Sequence, residues 1–480
     1  MAGLFGVLDV ARRGLAATSV GVRTTGHNIA NVNTPGYSRQ RVQLEASLPL
    51  PTGEGPLGTG VEVAGVTRIT DAFVQGQLLR HGSLAGSSDA QAGALSQVEE
   101  LLADRDGTGL SSMLSKLYDS FSDLATATTG GAPTERVAVR TAAQSLVDTL
   151  HGLDQQLRDQ MSSLNREVEG TIPEVNRLSG EIRDLNLEIA RSEVNAPAND
   201  LRDRRDEALK ELAGLVDIRT FEDERGNLSV TLSNGLPLVE GGFQRLLSTT
   251  PDTANAFDVG FSRIQYQSGT AVSDVTDQIG GGKLGGLLRA RDTLLPGAIR
   301  SLDTVAYNLA TSVNAVHGAG VGLNGASGDF FVQPAAVEDA ARTLALDPAI
   351  AADPSAIAAG LTATASDNRN ALALAALRDT AAPISLPGDP PGPPSGPTRT
   401  LLEHVSTVIA DVGSQSRAMS AARDQQDRLL ETLENRRDEV SGVSLDEEVT
   451  HLVELQAAFK ANSRVVSVVD HLLDDLLNNL

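Results

Sequence analysis

The chain has no cysteine and no tryptophan, and its 480 residues include only 4 tyrosines and 10 phenylalanines. The missing thiols exclude disulfides, thiolate nucleophiles and cysteine-ligated zinc or iron–sulfur centres, and leave the redox compartment open. The scarcity of aromatics leaves alanine, leucine and valine to build the interior, a composition suited to close helix-on-helix packing. Long hydrophobic runs are missing too: no stretch approaches the ~18 apolar residues of a membrane span. The best candidate for a secretory h-region, Gly14 to Val22, is interrupted by Thr18 and Ser19. The expectation is a chain that neither crosses a membrane nor carries a cleavable signal. Positive charge is short as well, with 39 Lys+Arg against 62 Asp+Glu and a formal charge of -23. A nucleic-acid partner needs a basic face that releases counterions, so none is expected. The length implies ~2 to 4 domains, and 40% hydrophobic residues suffice for true cores.

Catalytic and metal chemistry is absent by the same kind of inspection. The histidines, His27, His81, His151, His317, His404, His451 and His471, include no i, i+4 pair that a helical metal site would use. Gly280-Gly281-Gly282-Lys283 invites comparison with a phosphate loop, but Asp277 occupies the first glycine position and Leu284 replaces the magnesium-binding hydroxyl. It reads as a flexible entry to the next helix. Carboxylate pairs such as Glu447-Glu448 and Asp474-Asp475 fall on polar helix faces, without the burial that tunes an acid or base. No cofactor, metal or enzymatic activity is expected.

What the chain does have is periodicity. Leu4, Leu8, Ala11, Leu15, Thr18, Val22, Thr25 and Ile29 follow alternating steps of four and three, a heptad seam. Leu445, Val449, Leu452, Gln456, Phe459, Ser463, Val466, Leu473, Leu476 and Leu480 repeat it at the other end, with Ser444 and Glu447 spaced as a capping box. Residues 1–50 hold five arginines against Asp9 and Glu45, net +3, whereas 424–480 hold 13 acids against five bases, net -8. Opposite charge favours docking of the two ends on each other. A third seam runs from Leu150 through Leu157, Met161, Leu164, Val168, Ile172, Val175, Leu178, Ile182 and Leu185 to Ile189, where Pro173 should kink or break the rod. A fourth, from Leu401 through Val405, Val408 and Val412 to Val440, is expected to share a bundle with it.

Strand patterns are confined to two places. After Asn33-Thr34-Pro35-Gly36, the alternation of Gln40, Val42, Leu44 and Ala46 with a return at Val61 and Val63 predicts a long exposed hairpin. From Ile218 to about Ser268, alternating segments are punctuated by Asn234-Gly235 and Gly241-Gly242, as in hairpin turns. Pro387 to Pro397, with six prolines in eleven residues, is a linker or loop tip. The fold class expected is therefore mainly α, a long helical bundle and a coiled coil formed by both chain ends, with a small inserted β-rich domain and an N-terminal β-hairpin. The corresponding division is 1–38 with 441–480 as terminal coiled-coil helices, 39–216 with 284–440 as the bundle, and 217–283 as the β-rich outer domain.

Gly26-His27-Asn28-Ile29-Ala30-Asn31-Val32-Asn33-Thr34-Pro35-Gly36-Tyr37-Ser38-Arg39-Gln40 closely resembles the N-terminal signature of the bacterial flagellar axial proteins of rod, hook and hook–filament junction. Its asparagines suit a helix C-terminus, where side chains bond free backbone groups, and Pro35-Gly36 suits the turn that follows. The segments 442–448 and 455–465 are similar to the same family's C-terminus. Asn199–Asp206, Gly285–Asp292, Asn324-Gly325 with Asp329-Phe330-Phe331, and Asp367–Leu372 resemble its junction branch, so the resemblance spans nearly the whole chain. Only 35 residues separate Phe331 from Asp367, where members often carry a further β-rich outer domain.

The resemblance implies a non-enzymatic subunit that polymerises as a ring between hook and filament. The assembly interface it points to is Leu4, Leu8, Leu15, Asn28, Ile29, Asn31, Asn33, Pro35, Gly36, Tyr37, Leu445, Leu452, Phe459, Val466, Leu473 and Leu476. Implied partners are other copies of the chain, the hook protein, a second hook-associated junction protein and flagellin, and an export chaperone on the C-terminal helix. The implied location is the extracellular flagellum, reached by type III export without a cleaved signal. Alternatives are another axial subunit, of hook or distal rod, or a wall-cleaving hydrolase on axial helices, for which the β region offers only Glu222, Asp223 and Glu224.

Overall fold

The computed structural model describes residues 2–52, 55–104, 107–127, 131–193, 197–223, 226–389 and 394–478. The helices are α1 (Ala2–Ala30), α2 (Ala72–Leu102), α3 (Leu110–Thr126), α4 (Pro133–Ser192), α5 (Asn199–Leu215), α6 (Gly282–Arg289), α7 (Leu295–His317), three short ones, α8 (Ala340–Thr343), α9 (Pro348–Ala352) and α10 (Arg369–Ala376), then α11 (Leu401–Ser441) and α12 (Leu445–Asn478). The expected class is what forms: mainly helical, with small sheets inserted.

The spine is α4, 60 residues long. Its heptad positions Leu150, Leu157, Met161, Val168, Val175, Leu178, Ile182 and Ile189 are all buried, facing α3, α5, α6, α7 and the β region. Pro173 does not end the helix. A proline in a helix interior costs ~3 kcal/mol, and burying a single large side chain returns ~1.5–3 kcal/mol. Ile172 and Val175 on either side of Pro173 are both sequestered, so continuity wins. α11 and α4 stand in one bundle without lying side by side: α11 lies chiefly along α2, with further contacts to α3 and α7, and these three helices in turn contact α4. A reciprocal capping box of Thr400 and Glu403 starts it.

The triple glycine enters the next helix as expected, with Gly281 as the N-cap of α6, but its last member is closely packed and not loose. Gly282 has φ +67, and a Cβ there would lie 2.4 Å from the Leu215 carbonyl carbon and the Val216 nitrogen. Gly86 meets the Gly214 carbonyl oxygen, and a Cβ on Gly286 would stand 2.5 Å from the Ser87 carbonyl oxygen. Three helices, α2, α5 and α6, thus cross at backbone distance, and the glycines are there because no side chain fits. Beyond this crossing a π-turn at Ala290–Leu294 links α6 to α7, next to Pro296, which has no N–H for the α-helical ladder. That turn aims the buried Arg291 at Asn165 Oδ1 (2.7 Å) and the Ser262 carbonyl (2.9 Å).

The β region consists of two antiparallel sheets against α4. Strands β5 (Ile218–Glu222), β6 (Leu228–Leu232), β7 (Pro237–Glu240) and β8 (Phe243–Gln244) form a meander, and β9 (Leu246–Pro251), β10 (Ser262–Ser268) and β11 (Ala271–Asp274) a second sheet in the order β11-β10-β9. Gly235 and Gly241 take positive φ at the expected turns. The N-terminal hairpin pairs β1 (Gln40–Ala46) with β4 (Val61–Arg68) through a bulge at Gln43/Leu44, and β2 (Leu50–Thr52) pairs β3 (Gly55–Leu57) at its tip. The proline-rich loop is closed at its base by a ladder of Ala382–Pro383 with Thr398–Arg399. Its residues 390–393 lie outside the described residues.

Candidate assembly site

The two chain ends pair with each other, and their register is regular. Along α1, Gly14 faces Asn462, Gly21 faces Leu455, and Asn28 bonds Glu448. Each step of seven forward on α1 is a step of seven back on α12, so the helices run antiparallel in a heptad repeat. A Cβ on Gly14 would lie 2.8 Å from Asn462 Nδ2, and one on Gly21 would lie 2.9 Å from Leu455 Cδ2.

The side of closest approach is therefore made of small residues, Gly14, Ala17 and Gly21, and differs from the leucine seam expected. Leu4, Leu8, Leu15 and Ile29 are half-buried on the flanks of α1. On α12, Leu452, Val466 and Leu473 are half-buried toward α1, while Leu445 and Phe459 are exposed. The side chain of Leu476, and all of Leu480, lie outside the described residues. Phe5, Val7 and Val10 on α1, with Val449, Val453, Val465, Val468 and Leu472 on α12, leave a broad apolar surface uncovered. The hairpin adds Leu44, Leu48, Leu50 and Leu57 to it. That hairpin runs back along α1, from Gln40 beside Asn28 to Ser47 beside Arg13.

Where the pair meets the bundle, a polar clasp replaces apolar packing. Asn28, 1% exposed, is its hub. Its amide donates to the Gln40 carbonyl (2.9 Å) and to Glu448 Oε2 (3.1 Å), and its Oδ1 accepts from the Gln40 N–H (3.0 Å) and the Tyr37 hydroxyl (2.8 Å). The side chain thus acts as an extra strand residue for β1 at the end of a helix. Asn31 Nδ2 donates back to the His27 carbonyl (3.0 Å), satisfying one of the free carbonyls of the last turn. Gly36, at φ +79, turns the chain beside Glu207, while Asn33 and Pro35 stay exposed in the turn.

Sequence reasoning flagged the 199–206 segment only as a resemblance; the structure shows what it binds. Asn199 Nδ2 donates to Gln40 Oε1 (3.2 Å) and the Val66 carbonyl (2.9 Å), Asp200 accepts from Gln40 Nε2 (2.8 Å), and Asp203 accepts from the Ser38 N–H (3.1 Å). Arg68 Nη1 reaches Asp203 at 2.7 Å and Asp206 at 2.8 Å. Arg39 closes the other side, with Nε on Glu448 (2.7 Å) and Nη1 on Glu447 (2.7 Å). Glu447, expected to cap its own helix, spends its carboxylate on Arg39. Burial, with the charges of Asp200, Asp203 and Glu448, pushes the Tyr37 hydroxyl far above its ordinary pKa, so it remains a donor. Burial alone would lower Arg68, but Asp206 and Asp203 raise it and keep it charged.

None of this is catalytic geometry. Among the described residues no group of three or more His, Asp or Glu could hold a metal ion, and no helix is long and apolar enough to cross a membrane. A cleft of about 710 Å³ at the joint, lined by Ala17, Gly21, Val42, Leu44, Glu454 and Leu455 among others, separates the hairpin from the helix pair.

Comparison with known proteins assigns this build. Residues 8–37 match the family "Flagella basal body rod protein", 435–480 match "Flagellar basal body rod FlgEFG protein C-terminal", and 95–331 match "Flagellar hook-associated protein FlgK helical domain". The chain is 29% identical to flagellar hook-associated protein 1 of Bacillus subtilis, over 100% of this chain and 99% of that one. It is 25% identical to the protein of that name from Escherichia coli, over 98% and 99%. The structure of the flagellar hook junction protein FlgK from Burkholderia pseudomallei shares the fold, with a TM-score of 0.63 at 17% identity, over 76% of this chain and 100% of that one. Paired terminal helices carrying both rod-type signatures define an axial subunit of the bacterial flagellum, a structural class without catalysis. Within that class, the relatives that match the chain over its full length, and the family matched by residues 95–331, are those of flagellar hook-associated protein 1.

Proposed function

We propose that the chain forms the junction between hook and filament by polymerising through its paired ends, with the helical bundle and β region standing outside them. The observation that carries this reading is the α1–α12 pair: it buries only its small-residue side and keeps apolar side chains on the rest of its surface. Exposed stripes of this size associate in water. The interface comprises the flanking residues Leu4, Leu8, Leu15, Leu445, Phe459, Val466 and Leu473. The motif residues Asn28, Asn31, Gly36 and Tyr37 set the angle at which the pair leaves the bundle. Copies of the chain lie sideways, the hook protein on one side, and the second hook-associated protein and flagellin on the other. An export chaperone masks α12 before assembly, and the chain leaves the cell by type III export with no cleaved signal.

Imaging a tagged chain on intact flagella tests the reading, with a single focus between hook and filament as the expected result. A signal distributed along the hook would instead support the hook alternative, and a focus at the base of the hook the distal-rod alternative. Removal of 445–480 is expected to abolish both incorporation and chaperone co-purification.

A further inference from the structure

Charge on α12 is segregated along its length. Asp446, Glu447, Glu448 and Glu454 occupy its first third, Lys460 and Arg464 its middle, and Asp470, Asp474 and Asp475 its end. Asp446 and Arg464 are separated by 18 residues, which is five turns of α-helix and a rise of about 27 Å. They therefore lie on one line of the helix. That line faces away from α1, because the residues turned toward α1 are Glu448, Leu455, Asn462 and Val469. Both side chains are exposed, and neither has an ion-pair partner among the described residues. Lys460 is exposed one turn before Arg464, and the exposed Val453 and Val468 lie near the same line.

We propose that the acidic start of α12 in one copy docks against the basic middle of α12 in a second copy, the two helices running parallel and offset by about five turns, ~27 Å. This inference rests on the reading of the chain as a polymerising axial subunit and specifies which surfaces meet. Different segments of the same helix meet in this contact, so it is heterologous: the first copy keeps its basic middle free and the second its acidic start, and the contact propagates instead of closing as a dimer. The charges fix register and direction, while Val453 and Val468 add apolar area. An unshifted parallel pairing would set Asp446 against Asp446 and Arg464 against Arg464, which like-charge repulsion disfavours.

The absence of cysteine makes the test direct. Two full-length variants, Asp446→Cys and Arg464→Cys, are co-expressed with distinct tags in a strain lacking the chain's own gene, and intact flagella are oxidised. A disulfide joining the two differently tagged chains is expected. A 446–446 or 464–464 species, or monomer alone from flagella that carry both variants at the junction, overturns the proposal. A charge arm guards against a cysteine that merely misplaces the helix. Lys460→Glu with Arg464→Glu is expected to cut incorporation about tenfold, and adding Asp446→Arg in the same chain to restore it. Failure of that rescue also overturns the proposal, whereas cross-linked chains located away from the junction would count against the functional reading and leave the offset contact standing.

Discussion

The bundle and the helix pair are both built from heptads, yet they solve opposite problems. In α4 the seam residues are large, and Leu150, Leu157, Met161 and Val175 are at most 1% exposed, enclosed by helices and sheets of the same chain. In α1 and α12 the contact is made of Gly14, Ala17 and Gly21, and the large residues are left outside, with Phe5 55% and Val453 61% exposed. The first region is complete within one chain; in the second the pair is slim and its apolar surface is left uncovered by the chain itself. Heptad spacing reports that a helix will be buried, and residue size reports by whom.

The largest effect should come from breaking the completed side. Phe330 is fully buried, edge-on to Phe121, His317 and Phe331. Phe330→Ala is expected to lower bundle stability by about 3–5 kcal/mol, read as a shifted urea midpoint, with the α1–α12 pair following because its clasp is anchored on α5. Next is the hub of the clasp. Asn28→Ala leaves the Gln40 N–H, the Tyr37 hydroxyl and the 2%-exposed Glu448 short of partners, and buried groups stripped of a hydrogen bond cost about 1–3 kcal/mol each. Hydrogen exchange at the Gln40 amide should accelerate by more than tenfold while the bundle midpoint stays put; a shift of that midpoint instead would mean the joint and the bundle unfold as one unit. A smaller effect is expected at the slim contact, where Gly21→Leu overpacks against Leu455 and should weaken the pair by about 1–3 kcal/mol. Loss of helical signal restricted to the ends would check it.

The sequence made the long seams readable because burial of α4 and pairing of the ends both leave a period of seven. It hid three things, each for a physical reason. The Gly14/Gly21 contact escaped because a seam is searched for as large apolar residues, and close approach is marked by their absence. The clasp escaped because Asn28 and Glu448 are separated by 420 positions, and Asn28 and Gln40 by 12. What could have found it is the coincidence of two segments, 26–40 and 199–206, that are rich in Asn, Asp and Arg and poor in apolar residues. The packing of Gly282 is hidden because glycine permits both a loose loop and a backbone crossing, and only the neighbours Leu215 and Val216 distinguish them.

The smallest prediction concerns pH and falls on the completed side of the comparison. Asp303, on α7, is 3% exposed and accepts from the Ala341 (2.9 Å) and Asp339 (3.1 Å) N–H groups. Burial pushes its pKa up to about 6, the two N–H donors oppose that, and the charges of Asp154 and Asp339 add to the rise. Arg158, bonded to Asp154 (2.8 Å) and Asp339 (2.9 Å), is the cation at this joint, and Arg342 also lies near Asp339. A carboxyl whose folded pKa exceeds its unfolded value of about 3.9 binds its proton more tightly when folded. Its contribution is therefore greatest below the unfolded value and is lost as pH rises through about 6. Linkage with those two values gives about 0.8 kcal/mol of added bundle stability on going from pH 7 to 5.5. Asp303→Asn lowers the starting stability, because the two N–H groups bond different carboxylate oxygens and the amide puts an NH2 donor in place of one of them, but it removes this slope. The measurement is the difference in urea midpoint between pH 7 and 5.5 for each protein, where the contributions of carboxylates remote from Asp303 cancel. Parallel pH dependence in wild type and variant would place the titrating group elsewhere in the bundle.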